Sequence, residues 1–305
     1  VLESDVIFKN LGLVITDEQH RFGVNQRSTF QNKGIMCDVL YMSATPIPRT
    51  YALTIYGDMD ISMIKTKPSG RKEIKTSLVK FKDIKVVLQS MLDEIKAGHQ
   101  VYIVAPMIEE DEESNLTNVL DLKKKIDIAY NNKIPTSVLH GKLKNIEKDA
   151  IMEDFKSGKT KILISTTVIE VGVDVPNATM MVIFNAERFG LSTIHQLRGR
   201  IGRNDLESKC IMISDKETKR LNVLVESNDG FYISEEDFKL RGEGDLFGIR
   251  QSGDMIFKIA DLRKDARILT QVNIDSAKFV KENKDTNFID YPMFLKLVEE
   301  IEHID

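Results

Sequence analysis

Strand-sized apolar runs alternating with helix-length amphipathic segments fill the middle of this chain, and that alternation narrows its possible folds sharply. The pattern predicts a strand at 74–81, a helix at 83–97 stopped by Gly98, and a strand at 100–108. A helix near 116–130, a strand at 136–140, a helix at 145–156 stopped by Gly158, and a strand at 161–165 follow. Further strands are expected at 180–184 and 210–213, around one more helix. Strands separated by helices of this length build βαβ units on a mostly parallel sheet. Upstream, 11–16 (LGLVIT) and 38–42 (DVLYM) have the unbroken apolar character of buried parallel strands. Turn chemistry at 68–72 (PSGRK) reads as a linker. Beyond about Glu226 the strands stop, and the remainder reads as helices around a Gly-rich loop. There Leu295, Val298 and Ile301 are spaced for one helical face.

A length of 305 residues suffices for two or three domains with proper cores. Apolar residues at 42% and charged residues at 30% describe an ordinary globular protein, and no apolar run is long enough to span a membrane. The net charge of −4 provides no overall pull toward nucleic acid, so DNA binding would need local basic grooves. Cys37 and Cys210 lie far apart in apolar strand-like contexts, which predicts reduced, buried thiols in a cytosolic protein. The acidic start Val1–Asp5 is unlike a signal peptide, and the absence of an initial Met suggests a fragment or a trimmed chain.

The richest stretch runs from Lys161 to Arg203. Its second half, HQLRGRIGR, has a helical reading that places Gln196, Arg200 and Arg203 at i, i+4 and i+7 on one face. No acidic residue lies between His195 and Arg203, so this face suits an anion, although a solvated basic face is the simpler alternative. Its first half is an apolar strand leading to Thr166 and Thr167, which could offer hydroxyls to a nucleic-acid phosphate or merely cap a helix. Gly172 permits a tight turn, leaving Asp174 exposed for a ribose hydroxyl or a domain-closing contact.

Asp17 and Glu18 follow an apolar strand, at the edge where open α/β sheets bind ligands. Nucleotide hydrolysis needs a carboxylate for Mg²⁺ and a group to orient water, although a solvated acidic pair would look the same. Ser43 and Thr45 follow the next strand, so two neighbouring strands would carry the two sites side by side. The segment Ser157-Gly158-Lys159-Thr160 invites a phosphate-loop reading that fails twice. Position 153 is Glu where the pattern needs Gly, and the segment follows a helix instead of opening one. It is expected to be a helix C-terminal turn. No other segment matches, so the chain carries acidic metal-site residues without a phosphate cradle. Residues 109–113 (EEDEE) read as a solvated loop, and no His or Cys spacing points to a metal.

In order, these segments resemble superfamily 2 helicase motifs, and more specifically the RecG family of branch-migration helicases. The resemblance rests on DEQHRFGVNQR (17–27), MSATPIPRTYALTIYGDMD (42–60), LHGKLKNIEKDAIMEDFKSGK (139–159) and DFKLRGEGDLFGIRQSG (237–253), and covers essentially the whole chain. The related Mfd transcription-repair coupling translocases share the motor but typically read DEEHRFG where this chain has Gln19, and lack the Arg250-Gln251 order.

The resemblance implies an α/β fold. Residues 1–68 would end a first RecA-like lobe, 69–226 would form a complete second RecA-like lobe with a parallel sheet flanked by helices, and 227–305 a mainly helical translocation tail. It implies an ATP-dependent double-stranded DNA translocase that remodels stalled forks and Holliday junctions. Its cofactors would be ATP and Mg²⁺, and single-strand-binding protein is among the implied partners. A monomeric motor in the bacterial cytosol or nucleoid, with no membrane association, goes with this picture. Asp17 and Glu18 would bind Mg²⁺ and position water. Gln196, Arg200 and Arg203 would face the γ-phosphate, with Arg203 the arginine finger. Glu170, Gly172 and Asp174 would link nucleotide state to lobe closure, and Thr166, Thr167, Ser43 and Thr45 would serve DNA binding and coupling. Arg241 would tie down the tail's helical hairpin, while Arg250 and Gln251 would couple closure to DNA movement. The chain departs from the family at Glu243, where Pro is usual, and at Asp245, where Glu is usual, which makes that turn less rigid. The wedge domain and the phosphate-binding segment would lie upstream, so this chain alone is expected to be inactive. The alternatives are a non-catalytic DNA-binding or partner-docking module and an Mfd-like translocase.

Overall fold

In the computed structural model, the structure describes residues 6–17, 37–44, 60–66, 72–106, 119–166, 175–216, 218–240 and 265–302. The chain divides into two compact units, Val1–Ile47 with Ile64–Gly248, and Pro48–Met63 with Ile249–Asp305.

The first unit contains a six-stranded sheet of β3 (Lys75–Val79), β4 (Gln100–Val104), β5 (Thr136–Leu139), β6 (Ile162–Ser165), β7 (Ala178–Phe184) and β8 (Lys209–Ile213). Its order is β3-β8-β7-β4-β6-β5, and every pairing is parallel. The central strands β4, β6 and β7 are buried along their whole length, which is why their sequences are apolar without alternation. Successive side chains still point to opposite faces, and this sorts the helices into two layers. Tyr102, Leu163, Met181, Ile183 and Met212 face α3 (Asn145–Lys156), α4 (Leu191–Arg198), α5 (Lys219–Glu226) and α6 (Gly230–Leu240) through Phe155, Ile194, Leu197, Leu224 and Ile233. Val101, Ile103, Ile164, Met180 and Val182 face α1 (Ile84–Lys96) and α2 (Val119–Ala129) through Val87, Met91, Leu122 and Ile126. Each fully buried side chain of this size contributes roughly 1.5–3 kcal/mol.

The elements fall close to their expected places. The 38–42 and 145–156 segments match residue for residue, and the strand expected at 100–108 ends at Val104. Gly98 and Gly158 follow their helices at φ +91° and +77°, a backbone region that glycine enters without a Cβ clash. The structure bears out the turn reading of Ser157–Thr160. Thr160 is buried, its carbonyl accepts from Gln100 Nε2 at 2.9 Å, and its hydroxyl sits 3.0 Å from that of Ser137. Cys210 is buried as expected, whereas Cys37 is half-buried.

A separate parallel pair, β1 (Leu13–Asp17) and β2 (Asp38–Met42), carries Leu13, Ile15, Leu40 and Met42 exposed on one face. In the second unit, α7 (Ala266–Asn283) and α8 (Pro292–Glu302) meet around Phe279, which lies 4.8 Å from Tyr291 and 5.4 Å from Phe294 between ring centroids. Leu295 and Val298 of the expected apolar face are exposed. Among the described residues no helix is long and apolar enough to cross a membrane.

Glu94, at the end of α1, ties that helix to the sheet. Its carboxylate accepts from Thr179 Oγ1 at 2.8 Å and Lys209 Nζ at 3.0 Å, and pairs with His99 Nδ1 at 2.9 Å. Burial raises its pKa, but the bonds from His99, Lys209 and Thr179 outweigh it and hold the carboxyl below its ordinary 4.5. A depressed pKa stabilises the fold fully above the unfolded value and progressively less as pH falls through the folded one. Glu94→Gln should therefore cost about 2 kcal/mol in urea unfolding at pH 7. The gap to the parent should narrow as the pH drops below 4.5.

Candidate nucleotide-facing site

The residues that follow β7 lead directly into the segment of greatest interest. Asn185 ends the strand in the left-handed region at φ 50°, which asparagine tolerates better than most residues. A short turn at Ala186–Arg188 then delivers the chain to Gly190 and α4. Leu191, Ile194 and Leu197 recur at helical spacing and are buried, so they seat this short helix on the sheet.

The helix does not continue through the arginines. It ends at Arg198, which overturns the expectation that Gln196, Arg200 and Arg203 share one helical face. Gln196 lies on α4, Arg200 in the turn after it, and Arg203 farther along the loop. Tight turns take over, with Arg200 N–H donating to Leu197 O at 2.9 Å and Ile201 N–H to Arg198 O at 3.2 Å. Two glycines explain the change. Gly199 caps the helix, and Gly202 adopts φ +68°, where a Cβ would come within 3.1 Å of Ile74 Cγ1. Ile201 turns inward and is buried, while Arg200 and Arg203 stay partly exposed on the loop. Arg203 Nε donates back to Gly199 O at 3.3 Å.

Sequence reasoning missed Arg198. It is 1% exposed, and its Nη1 reaches Leu224 O and Ser227 O at 2.9 Å and Thr76 Oγ1 at 3.2 Å. Its Nη2 lies 3.0 Å from His195 Nδ1. A guanidinium offers no acceptor, so this imidazole nitrogen must accept, which puts the ring proton on Nε2. Burial lowers the arginine's pKa, partly offset by nearby Cys210, whose own buried thiol is pushed up to about 12. The signal was present in the spacing. Position 198 falls four residues after Ile194 and three before Ile201, within the apolar stripe.

At the carboxyl edge of the sheet, Thr166 follows β6 and is buried, and its Oγ1 has no hydrogen-bond partner. Asn185 Oδ1 and Glu187 Oε2 are likewise buried without one, and sequence reasoning gave neither residue a role. On the small sheet, Asp17 ends β1 opposite Met42 of β2, one residue before exposed Ser43. Neighbouring parallel strands thus bring Asp17 and Ser43 to the same edge. Glu18, Thr45, Thr167, Glu170, Gly172, Asp174, Arg241, Arg250 and Gln251 lie outside the described residues. Among the described residues no cluster of three or more His, Cys, Asp or Glu could hold a metal ion.

Comparison with known proteins adds a second line of evidence. Residues 80–205 match the model of the helicase conserved C-terminal domain, and 227–304 match domain 3, C-terminal, of the ATP-dependent DNA helicase RecG. The chain is 46% identical to the ATP-dependent DNA helicase RecG of Staphylococcus epidermidis over 289 residues, 93% of this chain. It is 48% identical to that of Bacillus subtilis over 284 residues, 92% of this chain. It spans 42% of the length of each. Among solved structures it resembles RecG bound to a three-way DNA junction, at a TM-score of 0.66 and 42% identity, covering 88% of this chain and 35% of that one. The Mycobacterium smegmatis helicase Lhr bound to single-stranded DNA and AMP-PNP shares the fold, at a TM-score of 0.52 and 13% identity, over 75% of this chain and 31% of that one.

Gly202 gives the loop geometry a direct check. Gly202→Ala forces a side chain into a left-handed position against Ile74, and should lower stability by about 1–3 kcal/mol in thermal unfolding. A neutral effect would mean that the loop does not hold this turn.

Proposed function

The chain belongs to the RecG family, whose C-terminal portion it matches, and we propose that it supplies the second motor lobe and tail of an ATP-driven double-stranded DNA translocase. The proposed substrates are branched duplexes, stalled forks and Holliday junctions, as the junction bound by the RecG relative suggests. The observation that carries this reading is the loop after α4, which turns Arg198 and Ile201 into the core while Arg200 and Arg203 remain at the surface.

In this reading 1–68 closes a first RecA-like lobe, 69–226 is the second, and 227–305 is the translocation tail. Lobe closure brings Arg200 and Arg203 to the γ-phosphate of an ATP held by the first lobe, with Gln196 beside them. A guanidinium binds phosphate oxygens through parallel N–H bonds and steadies the charge that builds up during transfer. Such a residue is worth about 10³- to 10⁵-fold in turnover in related NTPases. Asp17 and Glu18 would hold Mg²⁺, which when bound neutralises phosphate charge. Glu170, Gly172 and Asp174 would respond to closure. Thr167, Ser43 and Thr45 would serve DNA binding and coupling, buried Thr166 would serve coupling alone, and Arg241, Arg250 and Gln251 would pass motion to the DNA. Contacts mainly to phosphates make binding salt-sensitive and indifferent to sequence. A bacterial cytosolic setting, a monomeric motor and single-strand-binding protein as a partner complete the proposal.

The test uses a chimera in which this chain replaces the matching portion of Bacillus subtilis RecG. The chimera should hydrolyse ATP when a forked duplex is added, while the isolated chain, which has no phosphate loop, should not. Arg203→Ala should reduce the chimera's turnover by about 10³-fold or more with little change in nucleotide affinity. Turnover by the pure isolated chain, or an Arg203→Ala chimera as active as its parent, would contradict the proposal.

A further inference from the structure

We propose that Arg198 is a positioning residue whose buried guanidinium locks the Arg200–Arg203 loop and the corner between α5 and α6 into one body. The partners of that guanidinium are a hydroxyl, two backbone carbonyls and an imidazole nitrogen, all of them neutral. A buried cation among neutral groups is costly unless its donors are met and a compensating potential is nearby. The end of α5 supplies both. Leu224 O lies in its last turn and Ser227 is its C-terminal cap, so Arg198 meets carbonyls that a helix end leaves unsatisfied. The partial negative charge of that helix end favours a cation there.

The loop and the corner also meet at one residue, Ile74, just before the sheet's edge strand. Gly202 packs against the Ile74 side chain, and Arg198 donates to Thr76 on β3. From the other side, Asn228 Nδ2 donates to Ile74 O at 3.2 Å. The corner is itself rigid. Ser227 Oγ accepts from Asp229 N–H at 3.0 Å, and Asp229 Oδ1 accepts from Phe231 N–H at 2.9 Å, as α6 begins. Arg220 on α5 then reaches buried Asp237 on α6 at 3.6 Å. A displacement of the arginine loop is therefore carried through Arg198 to α6. Lysine cannot replace this arginine, because one ammonium cannot span acceptors on β3, α4 and the corner as a planar fork does.

The catalytic consequence rests on the proposed function, whereas the mechanical link does not, and the experiment separates them. In the chain itself, Arg198→Lys should speed amide hydrogen exchange about tenfold or more at 199–203 and at 224–229 together. The central strands β4 and β7 should keep their protection. In the chimera, the same change should lower kcat for ATP about tenfold or more with KM within about twofold, since misplaced arginines lose transition-state contacts. Leu122→Ala, in the other helical layer, serves as a control that destabilises the lobe without that split. Exchange rising in one segment alone or in neither overturns the link, as does a control that reproduces the kcat loss. A parent chimera that hydrolyses nothing would sink the proposed function, and the exchange measurement would still decide this inference.

Discussion

Burying a guanidinium costs several kcal/mol unless its donors are met, and Arg198 meets them at the carbonyl end of a helix. The shape of the arginine loop follows from that requirement. Because Arg198 must point into the core, the helix cannot go on presenting its next polar face to solvent. Ile201 must also reach the interior, and Gly202 must pass within van der Waals reach of Ile74. Between these inward anchors, Arg200 and Arg203 are left on a short, well-braced loop. A braced loop is what phosphate recognition needs, since ordering a loose one during binding would consume part of the binding energy.

The sheet supplies the frame for this arrangement. Unbroken apolar strands β4, β6 and β7 demand cover on both faces, and the two helical layers provide it. Edge strand β3 departs from this cover. Its burial is partial, and its beginning serves as the post around which the loop and the α5–α6 corner are held. Glu94 fastens the other helical layer to β7 and β8 with a buried carboxylate. The lobe is thus pinned on each face by one charged side chain whose partners come from several elements.

Much of this architecture was legible in the sequence, because long-range packing here obeys the same periods that local residues display. The βαβ alternation, the glycine stops at Gly98 and Gly158, and the structural role of Ser157–Thr160 all follow from local chemistry. The end of α4 did not. Its polar spacing favoured a longer helix, whereas Gly199 caps it and the turn that follows brings Gly202 against Ile74, more than a hundred positions away in the chain. Arg198 was hidden for a related reason. Arginine is read as a surface residue unless an acid is nearby, and its actual partners are carbonyls of a helix that has no sequence signature for accepting them. Asn185 escaped notice because a left-handed strand end is set by the chain's next direction, which spacing alone does not encode.

The central claim is that the loop from Gly199 to Arg203 meets nucleotide phosphate across a lobe interface. Amide hydrogen exchange on the chimera with Bacillus subtilis RecG, with and without a non-hydrolysable ATP analogue and a forked duplex, addresses it most directly. The account predicts that residues 199–203 gain protection when analogue and DNA are both present, and that the isolated chain shows no change. A chimera that binds the analogue while this loop exchanges as before would contradict it.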